Sequence, residues 1–521
     1  MAGILAQLAE RGPGQPALAD DHGAMLNWTD LDQRVNQWMS VLREHGLRAG
    51  DRVALVTGNR LVTFEVLLAC LHSGLVAVPV SWRLTASEIG YLLADSGASA
   101  LVTEPGYAVR ATEAAALSGT APRLAAVLGD TGVAGLASTE KLMASADPAE
   151  PPGQCSGSVM LYTSATTGRP KGVLTSLFSP GASLGRITRT TAALGETLGI
   201  PHNGRSLLVG PWYHAAQLFF SLFPLLRGCT VVMRHRFDPA ATLRDLDHER
   251  ITLCHMVPTQ FIRLLALDAR TRAAFTGGRL QRVWHGGAAC PSGVKRAMID
   301  WWGPVLVEYY GATEAGIVTV IDSAEWLDRP GSVGRPLPPT EVLVVGEDGT
   351  ECPPGVSGQV YVRRPAQLDF EYHNAPGKTE AAHLRPGVFT VGDLGRLDPD
   401  GYLYLTGRTL DTIISGGVNI YPAEIEAVLL DHPAVRDAAV IGIPDEEFGE
   451  RVLAVIEPDA GVEPDPGLEP AGDLTTVLDA HCRKRLADYK RPRAYRLVSQ
   501  LGREPSGKLD KRALRAPFWK T

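Results

Sequence analysis

An alternation of apolar strand segments with amphipathic helix segments constrains the fold of this chain more than any other feature. From Asp51 onward, RVALVTG, VAVPVS and SALVTE have the pattern of strands, and VTFEVLLACLHSG and ASEIGYLLADSG between them have the pattern of amphipathic helices. Such alternation is typical of βαβ units, in which strands pair in parallel and helices cover the sheet. The pattern therefore predicts an α/β domain built on a parallel sheet.

A second series of this kind occupies the middle of the chain. Strands are predicted at SLLVGPW, CTVVMRH, TLCHMVP and RVWHGG, with a helix near Leu218. From Gly331 short strands and turns follow, as in EVLVVGEDGTECPPGVSGQVYVRR, which indicates a small β-rich subdomain. We predict an N-terminal domain at 1–408, with helix-covered parallel sheets and this subdomain, and a small mobile α+β C-terminal domain at 409–521.

Composition and charge exclude several classes of protein. The chain has 521 residues, of which 45% are hydrophobic and 21% charged, which suits a globular protein of more than one domain. A formal net charge of −7 gives no basic field for nucleic acid. No run of roughly 18 apolar residues predicts a membrane span, and the first residues lack a secretory pattern, so we expect a cytoplasmic location. Seven scattered cysteines predict neither a zinc site nor a disulfide framework.

The segment LYTSATTGRPKGV is the most informative local motif. A strand that ends at Tyr162 leads into a loop with several short donors, which are Thr163, Ser164, Thr166, Thr167, Gly168 and Lys171. Hydroxyls, backbone amides and one ammonium can converge there on a polyphosphate, and a glycine permits its close approach. The segment is not a GxxxxGK[ST] loop, and an ordinary polar turn between strand and helix is the alternative interpretation.

This loop resembles the phosphate-binding motif of the adenylate-forming enzymes, a superfamily of acyl- and aryl-CoA synthetases, adenylation domains and luciferases. Further matches follow in the same order: TDLDQRV, LHSGLVAVPVS, PWYH, HGGAACP, EYYGATEAG, GSVGRP, VGDLGRLDPDGYLYLTGRTLDTIISGGVNIYPAEIE and PSGKLDKRALR. Such an ordered set is much more specific than one motif. The resemblance implies an acid:CoA ligase that converts a carboxylic acid and ATP to acyl-AMP and pyrophosphate and then transfers the acyl group to CoA.

The chemistry explains which residue types the resemblance selects. A carboxylate has a poor leaving group, so it is first joined to AMP, a step that brings two anions together and calls for Mg²⁺ and cationic side chains. The resemblance assigns Thr313 to the α-phosphate, Glu314 to Mg²⁺ and Tyr310 to stacking on adenine, and we add Thr163 as a metal ligand. Asp393 would bind the ribose hydroxyls and Arg408 ribose and phosphate. The remaining nucleotide contacts are Gly286, Gly287, Ala288, Gly311 and Ala312.

Taken singly, these residues have ordinary alternatives, such as a surface carboxylate for Glu314, a turn residue for Asp393 and a tight strand-to-turn connection for HGGAACP. Lys508 matches the catalytic lysine, which enters from the C-terminal domain and bridges the carboxylate and the α-phosphate. His214 matches an aromatic or histidine gate between the acyl pocket and the thiol tunnel. A catalytic triad is not indicated, because no GxSxG elbow accompanies this histidine.

The region after Arg408 should serve the second half-reaction. Gly416 and Gly417 would let the pantetheine of CoA pass close to the backbone. The chain departs from the family pattern at the hinge, where Leu410 stands in place of Asp or Lys, and at Val418, where Glu is frequent. We therefore hypothesise that adenylation is intact while thioester formation is slowed or handed to a partner.

The acyl pocket is expected to be roomy and apolar because small residues lie along it: Ala215, Ala216, Gly286, Gly287, Ala288 and Ala289. A fatty, aryl or polycyclic acid fits such a pocket better than an amino acid. Alternatives are an adenylating enzyme that hands acyl-AMP to a partner enzyme or carrier protein, a luciferase-like oxidation, and a nucleotide-binding protein without chemistry. The individual acid, the pathway, and the choice between monomer and homodimer stay open.

Overall fold

The computed structural model describes residues 3–129, 132–163, 170–175, 177–408, 411–415, 418–445, 448–459, 472–486, 488–504 and 507–519. Within these ranges the strands form four sheets. None of the helices in the described part of the chain combines the length and the apolar character that a membrane crossing requires.

The described strands are, in chain order, β1 (Pro16–Asp20), β2 (Met25–Asn27), β3 (Arg52–Val56), β4 (Val76–Pro79), β5 (Ala98–Thr103), β6 (Leu124–Val127), β7 (Ala137–Ser138), β8 (Ser158–Thr163), β9 (Lys171–Leu174), β10 (Arg205–Leu208), β11 (Thr230–Met233), β12 (Leu253–Met256), β13 (Arg282–His285), β14 (Leu306–Ala312), β15 (Gly316–Asp322), β16 (Arg335–Pro336), β17 (Glu341–Val345), β18 (Gly358–Arg363), β19 (His383–Arg385), β20 (Val388–Phe389), β21 (Asp393–Leu397), β22 (Leu403–Arg408), β23 (Ile413–Ser415), β24 (Val418–Ile420), β25 (Val435–Asp445), β26 (Gly449–Pro458) and β27 (Ala494–Leu497).

The described α-helices are α1 (Ile4–Arg11), α2 (Trp28–Glu44), α3 (Leu61–His72), α4 (Ala86–Ser96), α5 (Ala108–Ser118), α6 (Thr139–Ser145), α7 (Gly185–Leu198), α8 (Ala215–Leu226), α9 (Pro239–His248), α10 (Pro258–Leu265), α11 (Ala269–Ala274), α12 (Ser292–Trp302), α13 (Ser323–Asp328), α14 (Pro376–Ala382), α15 (Pro422–Leu430), α16 (Gly472–Arg483) and α17 (Lys511–Arg515).

The first βαβ series forms a sheet in the order β7-β6-β5-β3-β4-β8-β9. Strands β3, β4 and β5 pair in parallel, as the alternation from Asp51 predicts, with α3 and α4 as the connecting helices. Strand β8 extends the sheet in parallel beside β4, and β9 returns antiparallel to β8. The segment between β8 and β9 is the predicted phosphate loop.

The prediction that α3 is amphipathic is wrong. Every residue from Val62 to His72 is buried, so the helix is covered on all sides. Its one carboxylate, Glu65, is held by α2, because Arg34 Nε donates to it at 2.8 Å and Trp38 Nε1 at 3.1 Å. A buried charge is tolerated only with such partners, and a helix buried all round lies inside the core.

The second series forms a sheet in the order β16-β15-β14-β13-β12-β10-β11-β1-β2. Its central strands, β11, β10, β12, β13 and β14, are parallel, which confirms the strands predicted in the middle of the chain. One large apolar cluster includes residues of both sheets together with α2, α3 and α8. The two sheets therefore share a core, in which α3 and most of α8 are buried.

Two smaller units complete the fold. Strands β17 to β22 form an antiparallel sheet, which confirms the β-rich subdomain predicted from Gly331. After β22, strands β24, β23, β26, β25 and β27 form a sheet with α15, α16 and α17, and this is the predicted α+β unit. Its sheet carries its own apolar clusters.

Gly157 determines how β8 starts. Its N–H donates to Leu71 O at 2.8 Å, and a Cβ built on it would lie 2.2 Å from Cys70 O and 2.3 Å from Leu75 O. Both oxygens are backbone atoms, one at the end of α3 and one just before β4, so they cannot rotate away. Glycine thus lets β8 begin against the buried helix and end at the phosphate loop.

We expect Gly157→Ala to lower the free energy of unfolding by about 1–3 kcal/mol, because backbone must move to admit the methyl group. Urea titration followed by circular dichroism measures this change. Gly106→Ala is the matched control, since a Cβ there meets nothing within 4 Å. Equal stability losses in the two variants would contradict the steric explanation.

Candidate active site

The candidate residues lie where parallel strands end. Gly286 follows β13, and Thr313 and Glu314 follow β14, its parallel neighbour. His214 stands immediately before α8, beyond the end of β10 in the same sheet. Ligands of open α/β sheets bind in the crevice at the carboxyl ends of the strands, and the fold thus brings three separate motifs to one edge.

Two glycines at this edge are required by backbone packing. A Cβ on Gly286 would lie 2.6 Å from Tyr309 O and 2.8 Å from the Tyr309 ring. A Cβ on Gly311 would lie 2.2 Å from Gly316 O, at the point where the register of β14 and β15 shifts. The tight connection considered as an alternative for HGGAACP therefore explains Gly286. Gly287 is different, because it is exposed, has a φ of 78°, and a Cβ there would meet nothing within 4 Å.

A hydrogen bond joins the predicted adenine and ribose residues. Tyr310 Oη donates to Asp393 Oδ2 at 2.6 Å, and both side chains are buried. Asp393 begins β21, so this bond links the β-rich subdomain to β14. A carboxylate has about four acceptor positions, and the bond from Tyr310 orients the group while leaving it able to accept from ribose hydroxyls. Arg408 pairs with Asp393 across β21 and β22, although its side chain lies outside the described part of the structure.

The phosphate loop is described only at its two ends. Thr163 ends β8 and Lys171 begins β9, and the two residues are antiparallel partners. The predicted donors Ser164, Thr166 and Thr167 lie outside the described residues.

A tyrosine that the sequence analysis missed connects this loop to the predicted metal ligand. Tyr372 Oη donates to Glu314 Oε1 at 2.7 Å. The ammonium of Lys171 lies 4.2 Å from the centre of the Tyr372 ring. Burial and the neighbouring Lys378 lower the pKa of Lys171, and Glu314 acts in the opposite direction.

The oxygens present fit a hard cation. Glu314 offers a carboxylate and Thr163 a hydroxyl, and both residues are only half-buried. Mg²⁺ prefers oxygen ligands and commonly takes one or two from protein, with phosphates and water supplying the rest. Thr313 is also half-buried, in the turn between β14 and β15, where Ala315 N donates to Ala312 O at 3.2 Å.

The catalytic lysine predicted from the sequence is brought to this edge by the C-terminal unit. A Cβ on Gly507 would lie 3.6 Å from Ala288 Cβ and 3.2 Å from Thr259 Oγ1, so the lysine turn rests on the wall of the site. Arg503 fastens this turn, because it donates to Gly507 O at 3.1 Å and pairs with Asp437 at 2.7 Å. The backbone next to Lys508 therefore lies beside Ala288 and Thr259.

His214 is neutral at physiological pH. Burial, with the positive charges of Lys508 and Arg83, lowers the pKa of His214 to about 4. Its ring centre is 4.8 Å from that of Tyr213. A neutral ring beside Lys508 fits the predicted gate, because it adds no second positive charge.

Behind Gly286 lies an aromatic wall with a polar chain inside it. The Phe220 ring stacks on Trp284 at 5.2 Å and on His255 at 5.1 Å. Gly210 N donates to Gln217 Oε1, so the Gln217 amide presents Nε2 to His255 Nδ1 at 2.9 Å. His255 Nδ1 is then an acceptor, and its Nε2 proton is donated to Tyr309 Oη at 2.9 Å. The chain fixes Tyr309, the residue against which Gly286 packs.

Four residues that the sequence analysis discusses for the hinge and the CoA face are not placed with this group. Leu410, Gly416 and Gly417 lie outside the described residues, and only the backbone of Val418 is described, at the start of β24. The hinge and the CoA face accordingly stay predictions of the sequence.

Comparison with known proteins gives the same picture over nearly the whole chain. Residues 5–369 match the model of the AMP-binding enzyme family, and residues 424–508 match the AMP-binding enzyme C-terminal domain. A feruloyl-CoA synthase of an Amycolatopsis species is 36% identical over 95% of this chain and 94% of its own length. A fatty acid–[acyl-carrier-protein] ligase of Streptomyces coeruleorubidus is 33% identical over 98% and 95%. The structure of ATP-bound MatB from Rhodopseudomonas palustris matches with a TM-score of 0.82 and 28% identity, covering 99% and 98%.

The buried histidine predicts a pH-dependent stability. Burial lowers the pKa of His255 to about 3 from 6.5, so between these values the native state binds fewer protons than the unfolded chain, and stability falls as the pH decreases. His255→Gln should reduce the loss of unfolding free energy between pH 7 and pH 5 by about 2 kcal/mol. Urea titrations at the two pH values measure it.

Tyr309→Phe is the matched control, because it removes the same hydrogen bond but keeps the titrating ring. It should lower stability at both pH values and leave the pH dependence as in the wild type. A histidine variant that keeps the full pH dependence would show that another group causes it.

Proposed function

This chain belongs to the family of AMP-binding enzymes, and from that premise we propose that it activates an aromatic carboxylic acid, with arylpropenoic acids of the ferulic type as the first candidates. Its activity is ATP-dependent ligation of a carboxylic acid to CoA, with Mg²⁺ as the metal. The observation that supports the site is the convergence of the Lys508 turn, Glu314 and the Tyr310–Asp393 pair on the ends of β13 and β14.

Two observations favour an aromatic acid. Gly286 and Ala288 line the edge where Lys508 arrives, and the wall behind Gly286 is built from Tyr309, Phe220 and Trp284. Aromatic side chains offer planar ligands stacked or edge-on contacts. The second observation is the relative with 36% identity, which is a feruloyl-CoA synthase.

The proposed roles follow from the charges that each step moves. In the first step a carboxylate oxygen attacks the α-phosphorus, and the bond to pyrophosphate breaks. Lys508 lies between the two anions and offsets their repulsion, Lys171 binds the phosphates, and Thr313 donates to the α-phosphate. Bound Mg²⁺, held by Glu314 and Thr163, would neutralise the phosphate charge. Asp393 holds the ribose.

In the second step the sulfur of CoA attacks the acyl carbon, the bond between that carbon and the phosphate oxygen of AMP breaks, AMP leaves, and the thiol proton passes to solvent. His214, neutral beside the acyl group, would act as a gate and not as a fixed cation. We retain Gly416 and Gly417 as the backbone along which pantetheine passes, and the boundary at 408/409 between the two domains.

One relative supports the alternative in which the chain only adenylates the acid and a carrier protein accepts the acyl group, because that relative is a fatty acid–[acyl-carrier-protein] ligase. No described contact favours a protein acceptor over CoA, and the hypothesis that Leu410 slows thioester formation stays a prediction. Cytoplasmic location and the choice between monomer and homodimer also rest on the sequence alone.

ATP–pyrophosphate exchange with ferulate, indoleacetate and a series of fatty acids tests the substrate class, with acyl-CoA formation measured in the same samples. We expect the fastest exchange with an aromatic acid, and acyl-CoA with the same order of preference. Exchange without acyl-CoA would support the alternative acceptor. A failure of all these acids to promote exchange would contradict the proposal.

Lys508→Ala should lower the rate of adenylation by about 10²- to 10³-fold, because it removes the one charge proposed to bridge both anions. The transfer half-reaction, started from synthetic acyl-AMP and CoA, should stay within a few-fold of the wild type. Lys484→Ala, an exposed lysine of the same unit, is the control. Equal losses in both half-reactions would indicate a general structural defect instead.

A further inference from the structure

We propose that Tyr372 is a positioning residue for adenylation, which orients Glu314 toward Mg²⁺ through its hydroxyl and supports Lys171 through its ring. The inference rests on the proposed roles of Glu314 and Lys171. It adds a residue that belongs to none of the motifs recognised in the sequence.

The backbone of Tyr372 is fixed to the strand that leaves the phosphate loop. Tyr372 forms an antiparallel bridge with Val173 in β9, and His373 N donates to Gly172 O at 2.8 Å. A Cβ on Gly172 would lie 3.2 Å from His373 Cβ, so the glycine permits this close approach. Tyr372 is therefore held two residues along the strand from Lys171.

A second set of bonds anchors the same segment on the other side. His373 Nε2 and Asn374 Nδ2 both bond Asp95 O, at 3.0 and 3.1 Å. The backbone N–H of Tyr372 also has a partner, because it donates to Thr379 Oγ1 at 3.0 Å. The segment thus has bonds to α4 and α14 in addition to those to β9, and the phenol projects from a fixed backbone.

The hydroxyl determines the orientation of the carboxylate. Tyr372 is buried. A phenol hydroxyl can donate to a carboxylate, and that of Tyr372 donates to Glu314 Oε1 at 2.7 Å. A carboxylate retains acceptor positions beyond one such bond, so Glu314 keeps both its charge and its capacity to bind a cation.

The ring gives the site a second function. The Lys171 ammonium lies 4.2 Å from the ring centre, within the range of a cation–π contact. Tyr372 thus contacts both the Glu314 carboxylate, through its hydroxyl, and the Lys171 ammonium, through its ring. It positions each of the two charged groups without bringing them together as a direct ion pair. Without the hydroxyl, the Glu314 carboxylate could rotate toward the Lys171 ammonium and pair with it. The metal would then lose Glu314 as a ligand, and the phosphates would lose Lys171.

The affinity for ATP, measured by calorimetry on the full chain with saturating Mg²⁺ and again with EDTA, separates these roles without turnover. The ratio of the two dissociation constants reports the linkage between metal and nucleotide. Tyr372→Phe keeps the ring, so we expect the ratio to fall by about 10-fold or more, with the affinity in EDTA unchanged. Tyr372→Leu also removes the ring, and should weaken ATP binding in EDTA by about threefold or more.

Two further variants make the result decisive. Tyr402→Phe removes another tyrosine-to-glutamate bond, from Tyr402 Oη to Glu325 Oε1 at 2.9 Å, and should leave the ratio as in the wild type. The double variant Tyr372→Phe with Glu314→Gln should have the same ratio as Glu314→Gln alone, because the hydroxyl acts through the carboxylate. Thermal midpoints of all variants verify that each is folded.

Three results would overturn the proposal. They are an unchanged ratio in Tyr372→Phe, an equal loss of affinity with and without Mg²⁺, and additive effects in the double variant. A wild-type chain whose ATP affinity does not depend on Mg²⁺ would instead contradict the metal role of Glu314, and with it the proposed function from which this inference starts.

Discussion

The close approach of Gly286 to Tyr309 determines where the rest of the site can lie. With no side chain at 286, the segment after β13 lies directly on β14, and the ends of both strands open on the same edge. Tyr309 cannot move away, because its hydroxyl is the end of the chain Gln217–His255–Tyr309 inside the core. Protein interiors are close-packed, so the fixed position of Tyr309 also fixes the position of the residues that pack on it. Gly286 packs directly on Tyr309, and the Lys508 turn packs on Ala288, two residues further along the chain.

Both carboxylates at the centre of the site are held by tyrosine hydroxyls. Tyr310 holds Asp393 and Tyr372 holds Glu314, at 2.6 and 2.7 Å. An arginine or lysine partner would fix a carboxylate equally well but would cancel its charge. A tyrosine donor brings no charge of its own to the carboxylate, and it fixes the geometry of that carboxylate before the ligand arrives.

The strands, the connecting helices and the β-rich subdomain could be predicted from the sequence, because the hydrophobic periodicity and the spacing of strand segments are local properties. Sequence reasoning proposed roles for Glu314, Asp393 and Lys508 through ordered motifs, and these roles stay predictions. It missed Tyr372 and His255, whose importance depends on partners at positions 314 and 309, and no local pattern encodes such pairs. It misjudged α3, since amphipathic and fully buried helices differ by few residues. It explained Gly286 by room for a ligand, whereas the structure requires glycine there for contact with Tyr309.

Three side chains at and behind the site keep one protonation state over a wide range of pH. His214 and His255 have pKa values lowered to about 4 and about 3, and the pKa of Tyr372 is raised. None of the three changes charge when the surrounding medium drifts between mild acidity and mild alkalinity. Mild acid therefore leaves the charges of these three groups unaltered while the chain stays folded. It acts on the unfolding equilibrium instead, because His255 can take up a proton once the core has opened.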